Sequence, residues 1–151
     1  MLEGRIQRPS MADNIVIESA PEVLDSDSLR SKLNTDGCGS IVSFLGITRD
    51  FDDGEEVIAL EFDAWQDKLE TTLHDLAKLA IEKFGVHSVA MAHRTGRVGP
   101  GENIVSIHVA SPHRKEGFRA CSWLIDELKS QAPLWKKEVK ASGESWKSGL
   151  G

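Results

Sequence analysis

The chain has 151 residues, of which 40% are hydrophobic and 28% charged, and its net charge at pH 7 is -6. These values are typical of one globular domain and disfavour general nucleic-acid binding. No run of about 18 apolar residues is present, so we expect no membrane span. Cys38 and Cys121 form no CxxC pattern, which favours a reducing, cytoplasmic compartment. Residues 1–10 lack the apolar core of a signal peptide, and we expect an expression leader there and a single domain over residues 11–151.

The first third of the chain predicts strands around one short helix. Asn14–Ser19 is typical of a strand, and Ser26–Asn34 is typical of a helix with Ser26 as its N-cap. Gly39–Asp50 is rich in β-formers and is interrupted by Gly46, and Glu55–Trp65 alternates between two faces. Because the Asp-Gly turn signal at positions 53–54 separates the last two runs, we expect them to form a hairpin.

The rest of the chain predicts two long helices, separated by two strands. Apolar residues recur at helical spacing over residues 66–84, with Gly85 as the C-cap. The strands cover residues 86–96 and 102–111. A second helix begins near Ser111 and Pro112, ends before Pro133, and is followed by a short strand. Its apolar face holds Phe118, Cys121, Leu124, Ile125 and Leu128. Because strands and helices do not alternate strictly, we expect an α+β fold with a mainly antiparallel sheet.

The predicted second helix begins with three basic residues, His113, Arg114 and Lys115. Helix N-termini favour acidic side chains, so this start breaks a local rule. Two interpretations remain: the side chains extend into water, or an anion binds there. Residues 111–140 carry a net charge of +3 and the remainder -9, which agrees with either a solvated face or an anion pocket.

Two lysines flank the end of this helix. Lys129 belongs to its last turn and Lys136 to the next strand, with Pro133, Leu134 and Trp135 between them. Each lysine alone has a structural explanation. Together, on rigid elements turned by Pro133 and fixed by packing of Leu134 and Trp135, they could act as amines of lowered pKa in a pocket.

Four motifs occur in a characteristic order: "GSIVSFLGITRD", "SPHRKEGF", "LKSQAPLWKKE" and "ESWK". Over about residues 38–147 the chain resembles the large, catalytic subunit of molybdopterin synthase, the MoaE family. The resemblance implies an α/β hammerhead-type fold. It also implies conversion of cyclic pyranopterin monophosphate into molybdopterin, with two sulfurs carried as a C-terminal Gly-Gly thiocarboxylate on a small ubiquitin-like partner subunit. The family assembles as a homodimer within a heterotetramer.

The resemblance also implies the site residues. Lys129 and Lys136 fall on catalytic positions and also contact the substrate. The other implied substrate-binding positions are Phe44, Ile47, Thr48, Arg49, His113, Arg114, Lys137 and Glu138. We expect no metal and no cofactor held by this chain, because its five histidines form no i, i+4 pair. Cys38 and Cys121 are expected core residues, with a sulfur relay through Cys121 as the weaker alternative.

Two departures from the family pattern concern charge. Ile47 stands where some relatives have a basic residue, and the tail "KSGLG" offers only Lys147 where some relatives have an arginine, so we expect one distal cation to be missing. Three function classes stay open: the synthase, a non-catalytic subunit that docks the carrier, and an anion or nucleotide sensor. We further expect a two-fold dimer with a pocket built partly across its interface.

Overall fold

Two mainly antiparallel sheets and three helices make up the computed structural model, which describes residues 14–148. The predicted leader and the last three residues lie outside this part. The helices are α1 Ser26–Ser31, α2 Gln66–Phe84 and α3 Arg114–Gln131. The strands are β1 Ile15–Ala20, β2 Ser40–Ile47, β3 Phe51–Asp52, β4 Glu55–Ala64, β5 Ser88–Arg94, β6 Gly96–Val98, β7 Asn103–Ser111, β8 Leu134–Lys140 and β9 Gly143–Ser148. The predicted α+β class is confirmed.

The first sheet has the strand order β1-β5-β7-β2, in which only the pair of β1 and β5 is parallel. Both long helices pack against it, as their apolar spacing requires. Leu69, Leu73 and Leu76 of α2 are 1% exposed and pack in one core with Leu124 and Leu128 of α3. Gly85 ends α2 with a φ of 72°, which confirms the predicted C-cap. No helix in residues 14–148 is long and apolar enough to cross a membrane.

The second sheet has the order β3-β4-β8-β9, and β6 also pairs with β4. The predicted hairpin between β2 and β4 is wrong, because β2 pairs with β7 and β4 turns back only onto the two-residue β3. In β4 the register shifts between Val57 and Ala59. Because of this irregularity, the two alternating sets of residues predicted for β4 do not form one buried and one exposed face. The neighbours Ala59 and Leu60, one from each set, are both buried.

Three local expectations are also wrong. Asp25 caps α1, while the Ser26 hydroxyl bonds Ser106 and His108 on the sheet. The N-cap of α3 is His113 instead of Ser111, which remains in β7. Phe118 is 61% exposed, although the apolar pattern placed it on the buried face of α3. For Ser26 and Ser111, contacts with the first sheet determine the position of the residue.

Candidate active site

A cavity of about 480 Å³ lies between the end of α3, the end of β2 and the inner face of the second sheet. Its volume falls within the range of sites for small molecules. The cavity wall includes seven of the ten residues implied by the sequence resemblance: Phe44, Ile47, Thr48, Arg49, Lys129, Lys136 and Glu138. The structure therefore brings two motifs that are about 80 residues apart in sequence, one at the end of β2 and one that joins α3 to β8, together in one site.

The β2 side of the cavity depends on a close approach at Gly46. A Cβ there would lie 2.7 Å from Cγ1 of Val105 and 3.4 Å from the Phe44 ring, so only glycine fits without displacement. The register of β2 against β7 shifts between Gly46 and Ile47. This shift redirects the chain as it leaves the sheet toward Thr48 and Arg49.

Thr48 is fixed by its backbone and has a hydroxyl without a partner. Its N–H donates to the carbonyl of Glu102 at 3.0 Å, and its carbonyl accepts from Gly101 at 2.9 Å. The side chain is buried, yet Oγ1 makes no hydrogen bond within residues 14–148. An unsatisfied buried hydroxyl costs about 1–3 kcal/mol, and a ligand in the cavity would remove that cost.

The two lysines reach the cavity from different elements. Lys129 lies in the last turn of α3 and is exposed, whereas the side chain of Lys136 on β8 is only 14% exposed. Nζ of Lys136 lies 3.9 Å from Oε2 of Glu138, which is itself buried. Leu134 packs in the core as expected, but Trp135 is 51% exposed, because neighbouring strand residues point to opposite faces.

Lys137 does not line this cavity. It points to the other face of β8, where Nζ lies 3.0 Å from Glu144 and 3.5 Å from Glu61. The hydrogen bond to Glu144 is the main cause that raises the pKa of Lys137. Its ammonium also lies 5.4 Å from the centre of the Trp146 ring. Lys137 therefore joins β4, β8 and β9 on the outer face of the second sheet, through its ion pairs and its contact with the Trp146 ring.

His93 also lines the cavity, although it is not among the site residues that the resemblance implies. The ring is 2% exposed, packs edge-on against Phe62 and places Nδ1 2.7 Å from the carbonyl of Arg94. Since a carbonyl can only accept, Nδ1 carries the proton and Nε2 of the neutral ring is an acceptor. Burial lowers the pKa of His93 to about 4, so the ring is neutral near pH 7.

His113 and Arg114 lie elsewhere in the same chain. They line a more open hollow, which we call the basic depression, together with Lys115 and Arg119. Lys129 follows Arg114 by 15 residues along α3, about 22 Å at the rise of an α-helix. One small ligand therefore cannot contact both clusters within one chain.

The cysteines do not favour a sulfur relay. Cys121 is buried in the core, and burial raises the pKa of its thiol to about 11. Burial and the charge of Asp36 raise the pKa of Cys38. Because the thiolate is the reactive form, both groups are poorly suited to attack a carbonyl or to carry sulfur.

Comparisons with known proteins agree with this geometry. The family model described as "MoaE protein" matches residues 19–131. The molybdopterin synthase catalytic subunit of Arabidopsis thaliana is 43% identical over 72% of this chain, a match that spans only 55% of that relative's length. Its counterpart from Pseudomonas aeruginosa is 40% identical over 75% of each chain, and that from Pyrococcus abyssi is 33% identical over 85% of this chain and 87% of the relative.

Solved structures give the same assignment. The crystal structure of molybdopterin synthase from Staphylococcus aureus superposes with a TM-score of 0.82 at 29% identity, covering 87% of this chain and 96% of that one. A complex of subunits 1 and 2 of the Helicobacter pylori molybdopterin-converting factor matches in fold, with a TM-score of 0.73 at 23% identity over 90% and 92% of the two chains. The family model covers most of the described residues, and the chain belongs to the MoaE protein family.

Proposed function

We propose that this chain is the catalytic subunit of a molybdopterin synthase, an enzyme of molybdenum cofactor biosynthesis. In this proposal it converts cyclic pyranopterin monophosphate into molybdopterin with sulfur from the thiocarboxylate of a small ubiquitin-like subunit. The observation that carries the proposal is the meeting of Lys129, Lys136 and Thr48 in one cavity. The relatives named molybdopterin synthase catalytic subunit, at 33–43% identity, support the same activity. The proposed location is the cytoplasm, where the two free thiols would stay reduced.

The cavity supplies groups that suit each sulfur transfer. The thiocarboxylate sulfur forms a bond to a pterin side-chain carbon while a carbon–oxygen bond at that carbon breaks, and the oxygen leaves as phosphate oxygen or as water. Water then attacks the acyl carbon of the resulting thioester, the acyl carbon–sulfur bond breaks, and the carrier's terminal glycine leaves as a carboxylate while the sulfur stays on the pterin. Negative charge develops on the carrier's acyl oxygen during this exchange. The ammonium groups of Lys129 and Lys136 are placed to stabilise that charge, and preorganised donors of this kind are a large source of catalysis. Thr48 Oγ1 and His93 Nε2 offer hydrogen bonds to the bound pterin.

The basic depression would bind the phosphate of the substrate from a second copy of the chain. His113, Arg114, Lys115 and Arg119 have no ion-pair partner among residues 14–148, and they surround the N-terminus of α3. The distance of about 22 Å along α3 separates them from Lys129 of the same chain. In a two-fold dimer, the basic depression of one copy can lie next to the cavity of the other, so that one substrate molecule contacts both. We propose that this dimer carries one small subunit at each end.

The test is to incubate the purified chain with thiocarboxylated carrier and the pterin monophosphate, and to look for dithiolene product. The synthase produces it in proportion to carrier consumed. A non-catalytic docking subunit would bind the carrier and form no product, and an anion sensor would bind neither the carrier nor its tail. Carrier that ends in an ordinary carboxylate is the matched control, because it docks but has no sulfur to transfer.

A further inference from the structure

Five charged side chains of alternating sign form a continuous chain along one wall of the cavity. Lys136 and Lys140 lie on either side of Glu138 on the same face of β8, since alternate strand residues share a face. Nζ of Lys136 is 3.9 Å from Oε2 of Glu138, and Nζ of Lys140 is 3.6 Å from Oε1 of the same carboxylate. Glu138 is therefore shared between two lysines.

The chain of charges continues onto the segment that follows β2. Nζ of Lys140 lies 3.2 Å from Oδ2 of Asp52 on β3, and Oδ1 of Asp52 lies 3.7 Å from the Arg49 guanidinium. The hydrogen bond to Asp52 is the main cause that raises the pKa of Lys140. Lys140 is thus a stable cation that joins two elements 88 residues apart in sequence.

Lys140 does not line the cavity, but its neighbours in the chain of charges do. Arg49, Asp52, Lys136 and Glu138 all belong to the cavity wall. The side chains of Lys136, Glu138 and Lys140 are only 14%, 9% and 14% exposed, so water screens these contacts less than it would on an open surface. A change in the charge at position 140 therefore acts on the lysine amine inside the cavity.

We propose that Asp52 and Lys140 are positioning residues, which set how firmly Glu138 holds the amine of Lys136 and where Arg49 lies. Lys140 draws part of the Glu138 carboxylate away from Lys136, and Asp52 in turn limits how closely Lys140 can approach Glu138. The role in sulfur transfer rests on the proposed function, whereas the electrostatic coupling is a property of the folded chain alone. The two residues should consequently act on Lys136 with opposite signs.

The coupling can be measured without any enzyme assay. The reaction rate of the Lys136 amine with a small amine-acylating reagent is followed by mass spectrometry of peptides, with the exposed Lys78 as internal reference. Lys140→Met keeps the aliphatic part of the side chain but removes the charge, so the Glu138 carboxylate pairs with Lys136 alone. This pairing stabilises the protonated form of Lys136, which does not react, and we therefore expect labelling of Lys136 to slow about threefold to tenfold. Lys140→Arg keeps the charge and should stay within twofold of the native rate.

Asp52→Asn should change the labelling of Lys136 in the opposite direction. Without the Asp52 charge, Lys140 pairs more closely with Glu138 and releases Lys136, which should be labelled about twofold faster or more. Lys32→Met, which removes an ion pair to Glu18 outside the cavity wall, is the matched control and should change nothing. Global unfolding would also raise the labelling of Lys137, whose side chain is only 17% exposed, and is thereby recognised.

The same variants then enter the product assay. Because Glu138 then pairs with Lys136 alone and offsets the charge of its ammonium, Lys140→Met should lower kcat about threefold to tenfold with little effect on KM, whereas Lys140→Arg should keep the native kcat. Unchanged labelling of Lys136 in both Lys140→Met and Asp52→Asn would overturn the positioning role. A native chain that forms no product, but shows the opposite shifts in labelling, would instead reject the proposed function and leave the coupling standing.

Discussion

The cavity and the basic depression hold their cations in different ways. In the cavity wall, Arg49 and Lys136 each lie near a carboxylate, Asp52 and Glu138 respectively. In the basic depression, four basic residues gather where the helix dipole is already positive, and no acid of residues 14–148 forms an ion pair with them. Balanced charges fix the direction of an amine, whereas unbalanced charges provide affinity for an anion. The difference assigns catalysis to the cavity and phosphate binding to the depression in the proposed enzyme.

The largest expected effect concerns the cavity lysines. Lys129→Ala and Lys136→Ala should each lower the rate of dithiolene formation about 10²–10³-fold, the usual cost of losing one preorganised charge stabiliser. The fold and carrier binding should remain, because neither amine supports the core. Product formation in single-turnover experiments measures the effect.

Lys78 provides the control for these variants. It is exposed on α2 and outside the cavity wall, so Lys78→Ala should keep the native rate. A near-native rate in Lys129→Ala would contradict the assignment of catalysis to the cavity.

The second prediction concerns the neutral histidine of the cavity wall. Burial lowers the pKa of His93 from 6.5 to about 4, so the unfolded chain binds more protons than the folded one between these values. The free energy of unfolding should therefore be fully retained above pH 6.5 and fall by roughly 3 kcal/mol as the pH drops to 4. Urea titrations of the native chain and of His93→Gln measure it, and the variant should show a flatter pH dependence.

His74→Gln serves as the comparison, because His74 is exposed on α2. Its pH dependence should follow that of the native chain. Equal slopes for the native chain and His93→Gln between pH 4 and 6.5 would show that His93 is not held neutral by burial.

A smaller effect is expected at the basic depression. His113→Ala and Arg114→Ala should each weaken binding of the pterin monophosphate by about 1–3 kcal/mol, the range for a charged hydrogen bond. The free energy of unfolding should stay constant or rise slightly, because a cation leaves the N-terminus of α3. Calorimetric titration and urea unfolding separate the two effects. Unchanged affinity in both variants would return these residues to a solvated helix face.

Local structure could largely be predicted from the sequence, but the pairing of elements could not. The apolar spacing of α2 and its Gly85 cap depend on neighbours within a few residues, and both predictions are confirmed. The partner of β2 is β7, whose first residue comes more than fifty positions after the end of β2, and no turn signal specifies such a pair. The same limit explains why the predicted caps at Ser26 and Ser111 are wrong, since both residues make contacts with distant strands.

The candidate site shows a similar division. The resemblance implied ten site residues, and seven of them, from the end of β2 with the two residues that follow it and from α3 and β8, line one cavity. The roles of His93, Asp52 and Lys140 follow from contacts between distant segments, so no local pattern marked them. Only the structure shows that His93 lies in a strand whose seven residues are all buried, where a polar ring needs a specific partner.

The most direct test joins the two regions in one molecule. Chains with Lys129→Ala and chains with Arg114→Ala are co-expressed with different affinity tags, and the hybrid that carries both tags is purified. If the cavity of one copy works with the basic depression of the other, one of the two composite sites in the hybrid is intact, and we expect about half of the native rate. Each parent variant alone should be nearly inactive in sulfur transfer at low substrate concentration. A hybrid as inactive as the Lys129→Ala parent, or a chain that sediments only as a monomer at micromolar concentration, would contradict the shared site.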